Sequence, residues 1–472
     1  MKRDLYTRTF ARSIFPVLDR LNGTHIARIL AGLRELESEP REAIRAAQQT
    51  KLDQMLDLAR DRSPFYRRHW DESARGPASH WPALDGMPLL SKADLRADPP
   101  AILPGARGRV LETRTSGSTG APMVFHRSAT QESWFWALRF RIWAWAGYEP
   151  GDPYVEINLN ARDAWKKRLQ DRLFRCSYLT GNTDNQDNDR LVAALRARGG
   201  PFLNGFSSSL YVLAQHLLAR GETIPLVGVA PTGDTLNPVW REAIERAFAV
   251  RAIDYYGAGG EGFHIASQCP ESGSAYHIHP ENTVVEILGE EGPVAPGERG
   301  RIVATQLDNE AMPLIRYDLG DVATAADPDA RCSCGRTLPM LGAIEGRIPD
   351  LVVTETGGVL VPHFFVVTMK NLDGVARYQV VQEERAEIVI RLVPGAAVDR
   401  PTVEARLRSE VARATKGALA TSFEWVNEIP LSGAGKRRLV ISKLGAEALT
   451  GPHPGGPGAT GHRESPAERV RA

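Results

Sequence analysis

At 472 residues the chain is too long for one ordinary hydrophobic core, which excludes a small single-core module and calls for two or three packed units. Its 42% hydrophobic and 24% charged residues are those of a globular protein, and a formal net charge of +1 gives no electrostatic reason to expect nucleic acid or an anionic membrane as the main partner. Four cysteines in so long a chain exclude a disulfide framework and favour a reducing compartment, the cytoplasm.

The N-terminus opens on Met1-Lys2-Arg3-Asp4-Leu5, but Arg8, Arg12, Asp19 and Arg20 interrupt every apolar run after it, so no secretory segment is expected. No run of about 18 uncharged apolar residues predicts a membrane span. Residues 1–75 carry helical periodicity, with a stripe of Leu52, Met55, Leu56, Leu58 and Ala59 that Ser63-Pro64 stops. The matched charges of Glu35–Arg45 read as a solvated helix face. Ser91 suits the N-cap of a short helix.

From 110 to 345, β-rich runs alternate with helical ones: Tyr154–Asn158, Arg190–Arg198, Ile224–Ala230, Val239–Ala249 and Ala252–Tyr256. That alternation predicts an α/β domain with a mostly parallel sheet. After Gly346 come strands at Leu351–Thr354, Arg377–Gln382 and Glu387–Val393, a helix at Thr402–Ala414 and a strand at Ser422–Trp425, an α+β pattern. The expected division is a large N-terminal α/β domain, 1–345 with a helical lead-in over 1–100, and a smaller α+β C-terminal domain, 346–449. The Gly/Pro-rich stretch from Gly451 to Gly458 cannot bury apolar surface, so 450–472 is expected to be a disordered tail.

The most informative stretch is Thr115-Ser116-Gly117-Ser118-Thr119-Gly120-Ala121-Pro122. Glycines let the backbone turn tightly, and hydroxyls with exposed N–H groups can wrap phosphate oxygens. The Gly-Lys-Ser/Thr ending of a Walker loop is missing. Taken alone the stretch reads better as a plain turn than as a phosphate loop. It is followed in order by Thr232-Gly233-Asp234, Tyr256-Gly257-Ala258-Gly259-Gly260-Glu261, Gln268-Cys269-Pro270-Glu271 and His277-Ile278-His279-Pro280-Glu281-Asn282. Arg316-Tyr317-Asp318-Leu319-Gly320-Asp321, Cys332-Ser333-Cys334-Gly335-Arg336, Gly346-Arg347 and Gly433-Ala434-Gly435-Lys436-Arg437 complete the series. This order resembles the adenylate-forming (acyl/aryl-CoA synthetase) superfamily, in its phenylacetate-CoA ligase-like and CapK-like branch, over residues 50–442.

The resemblance implies a large domain followed by a smaller mobile one, and an ATP-dependent, AMP-forming ligase that turns a carboxylic acid into an acyl-adenylate. The 115–120 loop would hold the β- and γ-phosphates of ATP, Thr232, Gly233, Asp234, Tyr256 and Gly257 would line the adenine pocket, and Asp321 would accept hydrogen bonds from the ribose. Arg347 would reach the ribose or phosphate, and Glu261 matches a Mg²⁺-linked glutamate. Lys436, in a glycine frame, would stabilise charge developing on the phosphoryl oxygens. Two departures stand out: an extra glycine-rich residue between Tyr256 and Glu261, and Pro349 where the family has its hinge, a residue whose φ is fixed.

Cys269, His277, Cys332 and Cys334 offer a Cys₃His set for a structural zinc, with simple buried thiols as the alternative; Cys176 is expected to be packing. The aromatics Trp134, Phe135, Trp136, Trp143 and Trp145 have core spacing, yet Trp136 with Phe206, Ser207 and Ser208 could wall a pocket for an aryl or apolar acid. Coenzyme A is the implied acceptor. An amine, a carrier protein, AMP transfer to a deazaflavin coenzyme, and a degenerate nucleotide-binding scaffold stay open, as does a homodimer.

Overall fold

The computed structural model describes residues 3–72, 76–99, 109–114, 123–158, 165–180, 185–233, 235–347, 352–354, 359–360, 364–365, 368–369, 372, 374–395, 398–430 and 438–444. The chain divides into two compact units, passing from the first to the second between Arg347 and Ile348. The expected tail at 450–472 lies outside the described residues. No helix among the described residues is long and apolar enough to cross a membrane.

The first unit begins with helices, of which Arg41–Arg62 is the longest at 22 residues. It buries Ile44, Gln48, Leu52, Met55, Leu56 and Ala59 along one face, at the three- and four-residue spacing of an α-helix. Ser63 is its C-cap, in extended geometry ahead of Pro64, as the residue before a proline prefers. Ser91 caps the helix Lys92–Ala97 in a reciprocal box, its hydroxyl accepting from the Asp94 amide while Asp94 accepts from the Ser91 amide.

The Glu35–Arg45 run is not merely a solvated face. Glu37 accepts from the Trp145 indole at 2.8 Å and from Arg336 at 2.9 Å, and Arg41 donates to the carbonyls of Pro328, Ala330 and Thr337. Two of its charges therefore fasten the loop that carries Cys332 and Cys334.

A four-stranded parallel sheet forms the middle of this unit, in the order Cys176–Thr180, Tyr154–Asn158, Phe202–Phe206, Gly228–Thr232. The chain leaves Tyr154–Asn158 toward one side and returns to pair on its other side, so the winding reverses between Tyr154–Asn158 and Phe202–Phe206. In open parallel sheets a ligand crevice lies at such a reversal, beyond the carboxyl ends of the strands. The strand expected at Ile224–Ala230 begins later, at Gly228. Ile224 and Leu226 are buried, but their amides bond to the carbonyls of Ala247 and Phe248 at the end of helix Pro238–Phe248. Of Ala252–Tyr256, Ala252 only bridges to Val229, and Tyr255–Tyr256 joins a second sheet.

Within the first unit, the named strands from Tyr255 onward pair antiparallel. One sheet runs Met340–Leu341, Tyr276–Ile278, Ala266–Ser267, Tyr255–Tyr256, and the other Thr283–Leu288, Arg299–Gln306, Tyr317–Thr324, Ile344–Arg347.

The second unit has a four-stranded sheet, Ala420–Trp425, Glu387–Pro394, Val375–Glu384, Val440–Ser442, and a helix, Arg400–Thr415. Asp399 caps that helix, whose Val403, Leu407 and Val411 pack with Val380, Ile388, Ile390 and Leu392 in a separate core.

Candidate functional site

A cavity of about 190 Å³ opens where the winding reverses. Glu156 and Ile157 reach it from one central strand, Asn204, Gly205 and Phe206 from the next, and Thr232 from the last residue of the third. Phe135 and Arg139, on the helix Ala129–Trp145, Tyr255, and the loop residues Gly257, Gly259, Phe263 and His264 complete it. Thr232 and Gly257, expected on the adenine side, thus share one cavity with Phe206, expected on the acid side. Trp136, Ser207 and Ser208 are not among its lining residues. The Trp136 indole donates instead to Glu132, 2.8 Å away, and Ser207 is fully buried at the start of helix Ser207–Leu218.

The cavity is more polar than an apolar-acid pocket needs to be. Arg139 and Glu156 form a buried pair at 3.3 Å, with the Arg139 guanidinium also over the Trp136 and Trp143 rings. Among the described residues, Oε2 of Glu156 and Nε of Arg139 have no hydrogen-bond partner. His264 is 4% exposed and stacks on Phe135, ring centroids 4.3 Å apart, and neither of its nitrogens has a partner among the described residues. Burial, with the Arg139 and Arg127 cations adding, pushes its imidazole down to about 3, so it is neutral. Arg139, Glu156, Asn204 and His264 were missed in the sequence. The available signal was a charge in an apolar setting: Arg139 inside Trp134–Trp145, and Glu156 between Val155 and Ile157 in a strand.

Beside the cavity, the Tyr256 hydroxyl donates to Asp321 at 2.5 Å, joining two expected nucleotide residues. Asp321 also faces Arg347 in the register of paired strands. Gly233, at φ +79°, sits where a Cβ would come within 2.5 Å of the Phe206 ring, so that turn requires glycine. The Glu261 carboxylate is buried and accepts from Tyr317 at 3.2 Å, while its carbonyl accepts from Gln131. The strands flanking the phosphate-loop candidate, Leu111–Arg114 and Val124–Arg127, pair with Arg114 opposite Val124, and Thr113 donates to the Gly260 carbonyl at 2.5 Å. Thr115, Ser116, Gly117, Ser118, Thr119 and Gly120 themselves, with Asp234, Pro349 and Lys436, lie outside the described residues, as does the side chain of Arg347.

A second cluster brings together all four expected metal donors. The ligand atoms of Cys269, His277, Cys332 and Cys334 lie within 4.8 Å of one another. Cys269 Sγ is 3.6 Å from Cys332 Sγ, far beyond a disulfide bond, and Cys334 Sγ is 3.5 Å from His277 Nε2. Burial pushes the Cys269 thiol up to about 12 and the His277 imidazole down to about 4, Arg336 and Arg141 adding to the latter. At Cys334 burial is outweighed by hydrogen bonds from Arg336, which leave the thiol below its ordinary value. Cys176 is buried in its strand and is not one of this set.

Residues 352–443 match the family model of the CapK C-terminal domain. A phenylacetate-coenzyme A ligase of Thermus thermophilus is 26% identical over 442 residues, covering 86% of this chain and 98% of that one. Protein CapK of Staphylococcus aureus is 22% identical, over 76% of this chain and 80% of its own. Among solved structures, 2-hydroxyisobutyryl-CoA ligase in its postadenylation state superposes with a TM-score of 0.68 at 20% identity, over 88% of this chain and 92% of that one. The chain is thus a relative of the phenylacetate-CoA ligases and of CapK, with the fold of the adenylate-forming superfamily.

Proposed function

We propose that the chain activates a carboxylic acid with ATP and passes the acyl group to coenzyme A. One acid oxygen attacks the α-phosphorus, the bond to pyrophosphate breaks, and acyl-AMP forms; the coenzyme A thiolate then attacks the acyl carbon and AMP leaves. The observation that carries this reading is the shared cavity: at the carboxyl edge of the parallel sheet, Thr232 and Gly257, expected at the adenine, line one space with Phe135, Phe206 and His264, which suits an acid held next to a nucleotide. The Thermus thermophilus ligase, alike over nearly its whole length, supports the same chemistry.

In this reading Asp321, already a hydrogen-bond acceptor for Tyr256, holds the ribose, Arg347 assists it, and Thr115–Gly120 holds the β- and γ-phosphates. Asp234 joins Thr232, Gly233 and Tyr256 at the adenine. Glu261 is the candidate carboxylate for Mg²⁺, which would neutralise phosphate charge; in this structure it bonds to Tyr317. Lys436 stabilises charge that develops only as the α-phosphorus is attacked. Lys436→Ala should therefore abolish acid-dependent ATP–pyrophosphate exchange while ATP binding, followed by calorimetry, stays near normal. Wild-type exchange in the variant contradicts the assignment. The amine, deazaflavin and scaffold alternatives gain no supporting observation.

The Cys₃His cluster is read as a structural zinc site. Zinc–sulfur bonds of about 2.3 Å and a zinc–nitrogen bond of about 2.05 Å give a tetrahedron with S–S edges near 3.8 Å and S–N edges near 3.5 Å. The 3.6 Å and 3.5 Å separations fit those edges. Such an ion would hold the Cys332–Cys334 loop against the strand of His277. Elemental analysis should find one zinc per chain, lost with a fall in melting temperature in Cys332→Ser; purified protein without metal overturns this reading.

A further inference from the structure

Resting on the acid-activation reading above, we infer that the cavity selects a single-ring aryl carboxylic acid bearing a hydroxyl group, and that His264 reads that hydroxyl.

Size sets the first limit. A cavity of roughly 150 Å³ accepts a benzene ring, so about 190 Å³ leaves room for one ring and a few further atoms. The walls fit a flat ring, because Phe135, Phe206 and Phe263 all face the space and offset or edge contacts between rings are favourable.

Polarity sets the second limit. A neutral imidazole has one donor and one acceptor nitrogen, and a buried donor or acceptor left unmade is costly. His264 carries two such atoms, in a side chain 4% exposed that lines the cavity. Glu156 Oε2 and Arg139 Nε, also on lining residues, add an acceptor and a donor. A hydroxyl both donates and accepts, so one such group on the ring answers this set, whereas an unsubstituted aryl acid leaves it unmet. Phe135 stacks on one face of the imidazole and Tyr255 meets it edge-on, ring centroids 5.4 Å apart, so His264 is held in place before any ligand arrives.

The test compares acid-dependent ATP–pyrophosphate exchange for the monohydroxy isomers of benzoate and phenylacetate with the unsubstituted acids and with short aliphatic acids. At least one hydroxylated isomer should exceed its parent by about 100-fold in kcat/KM, since a site built to bond a hydroxyl rejects the analogue without it. His264→Phe, which keeps the stack on Phe135, should bring that ratio close to one, mainly by losing the hydroxylated acid. The wild-type ratio is read without any variant, so a misfolded His264→Phe leaves the test intact. Parent acids that match or exceed every isomer, or a His264→Phe protein that keeps the ratio, overturn the inference. Exchange with aliphatic acids and none with aryl acids sinks this inference alone; no exchange with any acid removes the acid-activation reading as well.

Discussion

Two buried arginine–glutamate pairs in the first unit show how the same chemistry can serve scaffold or ligand. Arg316, 0% exposed, donates to both oxygens of Glu286 at 2.9 and 3.1 Å and to the carbonyls of Pro77, Ala78, Leu84 and Met87. It ties the 77–87 segment to the antiparallel sheet. Arg139 and Glu156 also pair, at 3.3 Å, but each keeps an unpartnered atom and both line the cavity. A buried ion pair with every hydrogen bond met is a fastening; one with donors and acceptors left over beside a cavity is equipped to receive a ligand.

Breaking the fastening should have the largest effect on stability. Arg316→Met strands the Glu286 carboxylate in the core and leaves the carbonyls of Pro77, Ala78 and Met87 without their donor, so a loss of about 3–5 kcal/mol is expected in urea unfolding. Whatever fraction folds should keep the wild-type preference among acids. A variant of wild-type stability contradicts the role given to Arg316.

Removing both charges of each pair sharpens the contrast. Arg139→Met with Glu156→Met should change stability by only about 1 kcal/mol, since apolar replacement of a buried pair is often neutral, yet raise the KM for the acid. Arg316→Met with Glu286→Leu should still lose about 3 kcal/mol, because the carbonyls of Pro77, Ala78 and Met87 remain unmet at roughly 1 kcal/mol each, while that of Leu84 keeps the Met87 amide. Equal losses in the two double variants remove the distinction.

The smallest effect is a pH dependence at the cavity. Burial lowers the His264 imidazole to about 3 from an ordinary 6.5. The unfolded chain takes up a proton below pH 6.5 that the folded chain refuses until about pH 3. The stability tied to this residue is therefore full above pH 6.5 and falls as pH drops through that window. At pH 5 the loss is about 2 kcal/mol. Between pH 7 and pH 5, His264→Phe should lose about that much less stability than the parent, and an identical loss in both counts against a buried neutral histidine.

Much of the frame was legible because local signals and tertiary structure agree. Tyr154–Asn158 has the expected bounds, Ser91 caps its helix, and the four metal donors converge although Cys269 and Cys332 are separated by 63 positions. Where tertiary contacts overrode local pattern, reading failed. Ile224 and Leu226 look like a strand but give their amides to a helix end, and Glu37 and Arg41 look like solvated charge but hold the cysteine loop. The cavity polarity was hidden for a related reason. His264 and Glu156 belong to no short motif, and only the reversal of strand order sets Glu156 beside Asn204 on adjacent strands. Trp136 drew attention by its size, whereas its neighbour Phe135 faces the cavity.

The most direct test of the central claim is the fate of the nucleotide. Purified protein incubated with ATP, Mg²⁺, coenzyme A and a panel of hydroxylated and unsubstituted aryl acids is followed by mass analysis of all products. Acid-dependent AMP and pyrophosphate are expected in equal amounts, matched by acyl-coenzyme A, with acyl-AMP accumulating when coenzyme A is left out. ADP and phosphate as products, or ATP consumption that ignores the acid, would contradict the central claim.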